Sequence, residues 1–211
     1  MQIVIVDLGI GNLRSVEQAL RYVAPQQDVL VSSKADDIRN ADRMVLPGQG
    51  AIGSWFAAYD KHGVGEAVDT ALNEKPCFGI CVGMQALFSS SSEDGGVDGL
   101  GLFDGEVEHF SAHHTEDVVA KIPHMGWNEV SQTQQHELWH GIENNQRFYF
   151  LHSYAATSAD TKVIQGSADY HHAFIAAVGR DNVFATQFHP EKSHDDGLKL
   201  LKNFVDWKGT E

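Results

Sequence analysis

Over residues 1–88, short apolar runs alternate with stretches whose apolar residues recur at helical spacing, and most runs end in glycine or proline. Gln2–Val6 (QIVIV) stops at Asp7, Gly9 and Gly11. Asn12 can cap the helix that follows, with Leu13, Val16, Leu20 and Val23 on one face. Asp28–Val31 and Arg43–Leu46 read as further strands, the second halted by Pro47-Gly48. Two helical segments span Ala51 to Leu72, and the buried run Pro76–Ile80 leads into a helix from Val82 to about Phe88. Runs of this kind bury themselves as a parallel sheet covered on both faces, which predicts an α/β fold.

Beyond a polar Ser89–Gly96 loop the pattern changes. Strand-like runs at Gly105–Phe110, Arg147–Tyr154, Lys162–Ser167, Ala173–Val178 and Val183–Phe188 have few helices between them, and read as antiparallel strands added to the same sheet. A last helix, Asp195 to about Trp207, places Leu198, Leu201, Phe204 and Val205 together. No repeat and no long linker divides the 211 residues, so one domain spanning 1–211 is expected.

The formal charge of −14 predicts an acidic surface, which disfavours binding to nucleic acid or to anionic lipid. No apolar stretch approaches the roughly 20 residues of a membrane span, and Asp7 interrupts the first apolar run, so no signal peptide is expected. Two cysteines four positions apart form neither a disulfide framework nor a zinc site, and point to a reducing, cytoplasmic setting.

Three segments carry chemistry. Lys75–Phe88 runs strand, Gly79-x-Cys81-x-Gly83, helix. A nucleophile on a sharp strand-to-helix turn needs small residues two positions to either side, and a helix start favours thiolate over thiol. By itself the segment fits a buried cysteine at a junction equally well, and Cys77, inside the strand, reads as an inert core thiol. In Gln187-Phe-His189-Pro-Glu191, extended backbone projects His189 and Glu191 to the same side, where the carboxylate can orient the imidazole. Alone this is also an ordinary turn; a cysteine elbow in the same chain completes a nucleophile, base and acid. Pro47-Gly48-Gln49-Gly50 follows another parallel strand, and its glycines suit main-chain approach to a ligand.

Together these segments resemble the class I (triad) glutamine amidotransferases, over essentially the whole chain. Asp7-x-Gly9-x-Gly11-Asn12-Leu-x-Ser15, His124-Met-Gly126-Trp127-Asn128, Phe150-Leu-His152-Ser153-Tyr154 and Gln187-Phe-His-Pro-Glu-Lys192-Ser193 resemble, more narrowly, the glutaminase subunits of imidazole glycerol phosphate synthases. The resemblance implies a flavodoxin-like three-layer sandwich with a mostly parallel central sheet and added antiparallel strands. It implies Cys81 as the nucleophile toward glutamine, His189 as proton carrier, Glu191 as its orienting acid, and no cofactor. Backbone N–H groups of Val82 and Gln49 would hold the oxyanion; Val often stands where this chain has Gln49. Gly50, Gln85, Ser153 and Tyr154 would hold glutamine. Asn12, Trp127, Tyr149 and Lys192 would face the partner, a (β/α)8-barrel synthase subunit with which the chain forms a heterodimer. That subunit uses the ammonia to make imidazole glycerol phosphate and AICAR from PRFAR in histidine biosynthesis.

Three other readings compete: a paralogue feeding ammonia to a sugar-modifying synthase, a cysteine peptidase or deglycase-like hydrolase, and a catalytically silent interaction subunit. Gln85 and Pro190-Glu191 count against the second, and the intact Cys81, His189 and Glu191 against the third. The numerous histidines, His109-x3-His113, His114, His171 and His172 among them, read as surface imidazoles, so no metal site is expected. Gly9-Ile-Gly11 lacks the third glycine of a dinucleotide fingerprint.

Overall fold

The structure is a computed structural model that describes residues 1–113, 121–158 and 160–209. In its first part β1 (Gln2–Val6), α1 (Leu13–Val23), β2 (Asp28–Ser32), α2 (Ala35–Asn40), β3 (Arg43–Gly48), α3 (Ile52–His62), α4 (Gly65–Glu74), β4 (Cys77–Cys81) and α5 (Val82–Gln85) follow in order. Then come β5 (Phe88–Ser91), β6 (Val97–Asp98), β7 (Phe103–His109), β8 (His124–Gln132), β9 (Gln146–His152), β10 (Tyr154–Thr157), β11 (Ile164–Asp169), β12 (Ala173–Arg180), β13 (Val183–Thr186) and α6 (His194–Asp206).

A nine-stranded sheet has the order β2-β1-β3-β4-β13-β12-β11-β8-β9. From β2 to β13 neighbours run parallel; from β13 to β9 they run antiparallel. Every residue of β3 and β4 is buried, as central strands covered on both faces must be. Alternation along β4 assigns the layers. Phe78 packs on Phe184 of β13 and Phe204 of α6, while the Cys77 thiol turns the other way and donates to Ala71 O of α4. Helix α6 lies beside α1, and α2 beside α4, so the sheet sits between two helical layers in the expected sandwich. Each fully buried phenylalanine contributes on the order of 1.5–3 kcal/mol, and Phe78, Phe184 and Phe204 fix the two strands that end at Cys81 and Thr186.

Several local expectations need correction. β3 does not stop at Leu46 but continues through Pro47-Gly48, pairing Gly48 with Cys81. A proline is tolerated there because β1 flanks β3 only as far as Val45. The helix expected to reach Phe88 is one turn long. Beyond it, the carbonyls of Ala86, Leu87 and Phe88 accept from Leu100, Phe103 and Gly101, so the chain passes directly into strand. Not all later strands join the first sheet: β10, β7, β5 and β6 form a separate four-stranded one. The run Arg147–Tyr154 breaks at Ser153, and Tyr154 begins β10 in that second sheet. α2 and β8 have no counterpart in the reading of the sequence as elements.

Candidate active site

Parallel strands open their carboxyl ends to one crevice, and β3, β4 and β13 bring Gly48, Cys81 and the residues after Thr186 there. Cys81 has φ of 54°, a left-handed backbone that non-glycine residues seldom adopt and that costs of order 1–3 kcal/mol. The flanking glycines show why the turn closes. A Cβ on Gly83 would lie 1.8 Å from Leu46 O, and one on Gly79 would lie 2.8 Å from the Ala185 Cβ. A Cβ on Gly48 would meet Gly83 N and Val82 Cβ at 2.7 Å, so the Pro47–Gly50 loop sits against the elbow. Gln49 and Gly50 (φ 88°) therefore follow directly beside Val82, which opens α5. Farther on, Ile52 N–H and Gly53 N–H are committed to Glu93 Oε2 and Asp94 Oδ2 at 3.0 and 3.2 Å.

His189 and Glu191 meet through Nδ1 and Oε1 at 2.9 Å, with both side chains almost fully buried. A short 3₁₀ turn at Pro190–Lys192 folds the carboxylate back under the ring. The other imidazole nitrogen, Nε2, is buried without a hydrogen bond of full geometry, yet the Cys81 sulfur is near enough to act on its charge. Burial alone would lower the His189 pKa. The negative charge and hydrogen bonding of Cys81, with the Glu191 hydrogen bond and charge behind them, outweigh burial and raise it to about 10. The sulfur on one side and the carboxylate on the other both favour the protonated ring. Cys77 offers a contrast: burial pushes its thiol pKa up, as suits an inert core residue.

Gln85 is buried, with Nε2 donating to Tyr154 O and to Gln187 Oε1, both at 3.0 Å. Its amide is thereby joined to main chain that was assigned, with Ser153 and Gly50, to the same ligand. Gln187 Nε2 lies 3.6 Å from Cys81 Sγ, and Leu151 O lies 3.9 Å from that sulfur. Sequence reasoning gave Gln187 no role. The signal was present: in extended backbone Gln187 shares a side with His189.

The four residues expected to face a partner are placed unevenly. Asn12 caps α1, bonding Ser15 through both amide atoms. Trp127 and Tyr149 are cross-strand neighbours of β8 and β9, with Lys192 Nζ 5.9 Å from the Tyr149 ring centre. Trp127 is 43% exposed and stacks on His194; Met125, two residues along the same face, is 63% exposed. Among the described residues no group of three or more His, Cys, Asp or Glu converges as a metal site, and no helix is long and apolar enough to cross a membrane. His114 lies outside the described residues.

Comparison with known proteins agrees with this geometry. The family described as "Glutamine amidotransferase class-I" matches residues 4–207. Imidazole glycerol phosphate synthase subunit HisH of Nitrosomonas europaea is 49% identical over 208 residues, 97% of this chain and 98% of that protein. The protein of the same name from Neisseria gonorrhoeae is 47% identical over 213 residues, 98% of this chain and all of that one. Solved structures share the fold at lower identity. A Thermoplasma acidophilum protein superposes with a TM-score of 0.70 at 21% identity, covering 98% of this chain and 92% of its own. A glutamine amidotransferase superposes with a TM-score of 0.66 at 15% identity, covering 97% of each chain. The chain shares the fold of these structures and, on its sequence, belongs to the class I glutamine amidotransferase family.

Proposed function

We propose that the chain is the glutaminase subunit of an imidazole glycerol phosphate synthase, acting in the cytoplasm as one domain that hands ammonia to a (β/α)8-barrel synthase subunit. The observation that carries the chemistry is Cys81, held on a positive-φ turn against the buried His189–Glu191 pair. The Cys81 sulfur attacks the side-chain carboxamide carbon of glutamine and makes a tetrahedral intermediate. Val82 N–H and Gln49 N–H receive the oxyanion, each such donor being worth on the order of 10²- to 10³-fold. His189 gives its proton to the leaving nitrogen, ammonia departs, and a γ-glutamyl thioester remains. Water then attacks the thioester, losing a proton to His189, and glutamate and the thiolate are released. Proton transfer by a positioned imidazole contributes roughly 10²- to 10⁴-fold. Glu191 keeps the ring in the orientation both steps need.

Gly50, Gln85 and the Ser153–Tyr154 main chain hold the α-amino and α-carboxylate ends of glutamine in this reading. The solvent-exposed Trp127, with Tyr149, Lys192 and Asn12, forms the surface toward the synthase. The names of the similar proteins support that partner, and so does the exposure of Trp127 and Met125 on one strand face.

Ammonia release from glutamine, measured for the chain alone and with a barrel subunit loaded with its ribonucleotide, tests the proposal. Strong stimulation by the loaded partner is expected. Equal turnover in both conditions would remove the claim of a partner-regulated subunit, and no turnover in either would favour a silent one.

A further inference from the structure

We infer that His152 is a positioning residue for the proposed glutamine hydrolysis: a one-way hydrogen-bond relay from Asn128 through His124 and His152 fixes the Tyr154 carbonyl and, through Gln85 and Gln187, the Cys81 sulfur. The inference rests on the glutaminase reading above and deepens it.

The relay is legible because one end has a single allowed role. Tyr154 O can only accept, so His152 Nδ1, 2.8 Å away, carries a proton. His152 is held neutral, its pKa lowered to about 3 by burial, with the Tyr154 bond opposing and the charges of His124 and His189 adding to the effect. Its Nε2 is therefore bare and accepts from His124 Nδ1 at 2.9 Å. Burial lowers His124 to about 4, so its own Nε2 is bare and faces the Asn128 amide at 3.4 Å. That amide is anchored by Asp169 O at 2.7 Å. From the other side Gln85 Nε2 donates to the same Tyr154 carbonyl and to Gln187 Oε1, which orients Gln187 Nε2 toward Cys81 Sγ. Both ring tautomers and both amide orientations follow from one carbonyl.

Packing alone does not account for two imidazoles here. Their surroundings are aromatic: Phe110, Phe150 and Phe174 touch both rings, and Tyr170 stacks on His124 at 4.0 Å. Phenylalanine would fill such a box without desolvating polar nitrogens. What histidine adds is a donor on one edge and an acceptor on the other.

Three variants separate the edges, assayed in the complex with the synthase subunit. In His152→Asn the side-chain amide replaces Nδ1 as donor to Tyr154; in His152→Gln the amide reaches only the Nε2 position; His152→Phe keeps the shape alone. The expected result is kcat/KM for glutamine within about threefold of wild type for Asn and lower by roughly tenfold for Gln and Phe. The loss should fall on KM through Tyr154, which is proposed to touch the α-groups of glutamine, and on kcat through Gln85 and Gln187, which lead to the Cys81 sulfur. If Phe fails to fold, the Asn–Gln contrast still decides. Equal activity of Gln and wild type, or an Asn variant as impaired as Phe, would overturn the inference. A wild-type complex that hydrolyses no glutamine would instead overturn the underlying reading. ¹⁵N NMR of the histidine rings tests the relay independently of turnover: protonated Nδ1 and bare Nε2 are expected on His152 and His124, and an Nε2–H on His152 would refute it.

Discussion

Gly83→Ala is the sharpest single-atom perturbation of the elbow. The added Cβ would stand 1.8 Å from Leu46 O, 2.8 Å from Leu46 C and 3.3 Å from Pro47 C, all main-chain atoms of β3. An ordinary carbon–oxygen contact is about 3.3 Å, so β3 and the start of α5 must part by roughly 1.5 Å. Overpacking of this kind costs about 1–3 kcal/mol. For a domain of this size each kcal/mol lowers Tm by about 2–4 °C. The shift lands on Gly48 and Cys81, which are register partners, so the sulfur moves relative to the Gln49 N–H. A displacement near 1 Å costs about 10²-fold in rate, and kcat/KM should fall at least that far. Gly63→Ala is the control. Gly63 caps α3 at φ 63° with nothing within 4 Å, so an alanine there costs roughly 1–2 kcal/mol in backbone strain without touching the elbow. Calorimetry and an ammonia assay on both proteins separate stability from geometry. Near-normal activity in Gly83→Ala, or an equal loss in Gly63→Ala, would refute the reasoning.

Glu191→Gln should keep the fold and lower kcat by up to about 10⁴-fold by releasing the ring of His189, and steady-state kinetics with the synthase subunit will show it. Trp127→Ala should weaken binding to the synthase subunit by tenfold or more in calorimetric titration, with Tm little changed, because the ring is already 43% exposed. Acid should destabilise the protein through His124 and His152. Their pKa values are lowered to about 4 and 3, so between those values and about 6.5 the unfolded chain binds more protons, and stability falls with pH by up to about 1.4 kcal/mol per unit for each ring. His189, with a raised pKa, contributes in the opposite direction: its stabilisation is complete below about 6.5 and is lost as pH rises toward 10. Urea unfolding at pH 5 and pH 7 should show a smaller difference for His152→Phe than for wild type.

Local signals in the sequence carried the parts of the fold that are locally determined. The Asn12 cap and the spacing of Leu13, Val16, Leu20 and Val23 specify α1, and the glycines around Cys81 specify the elbow, because each depends on neighbours within a turn or two. The end of α5 was not legible, because Ala86, Leu87 and Phe88 give their carbonyls to residues more than a dozen positions away. The second sheet was hidden for the same reason, since β7 pairs with β10 across some fifty residues and the switch at Ser153 has no glycine or proline to mark it. In the site, the pairing of His189 with Glu191 was legible because they are two residues apart, but the strand ends at Thr186 and a 3₁₀ turn at Pro190–Lys192, not the expected extended backbone, makes them converge. The sequence places Gln187 on the same side as His189, but the hydrogen bonds of Gln187 and His152 are not legible in it, because their partners, Gln85 of α5, Cys81 at the end of β4 and His124 of β8, lie far away along the chain.

The central claim is that Cys81 forms the covalent bond to substrate. Acid-quenched complex turning over glutamine, digested and read by mass spectrometry, should carry one γ-glutamyl group on the peptide containing Cys81 and none on the peptide of a Cys81→Ala protein, which should also release no ammonia. A γ-glutamyl group on another residue, or ammonia release that persists in Cys81→Ala, would contradict it.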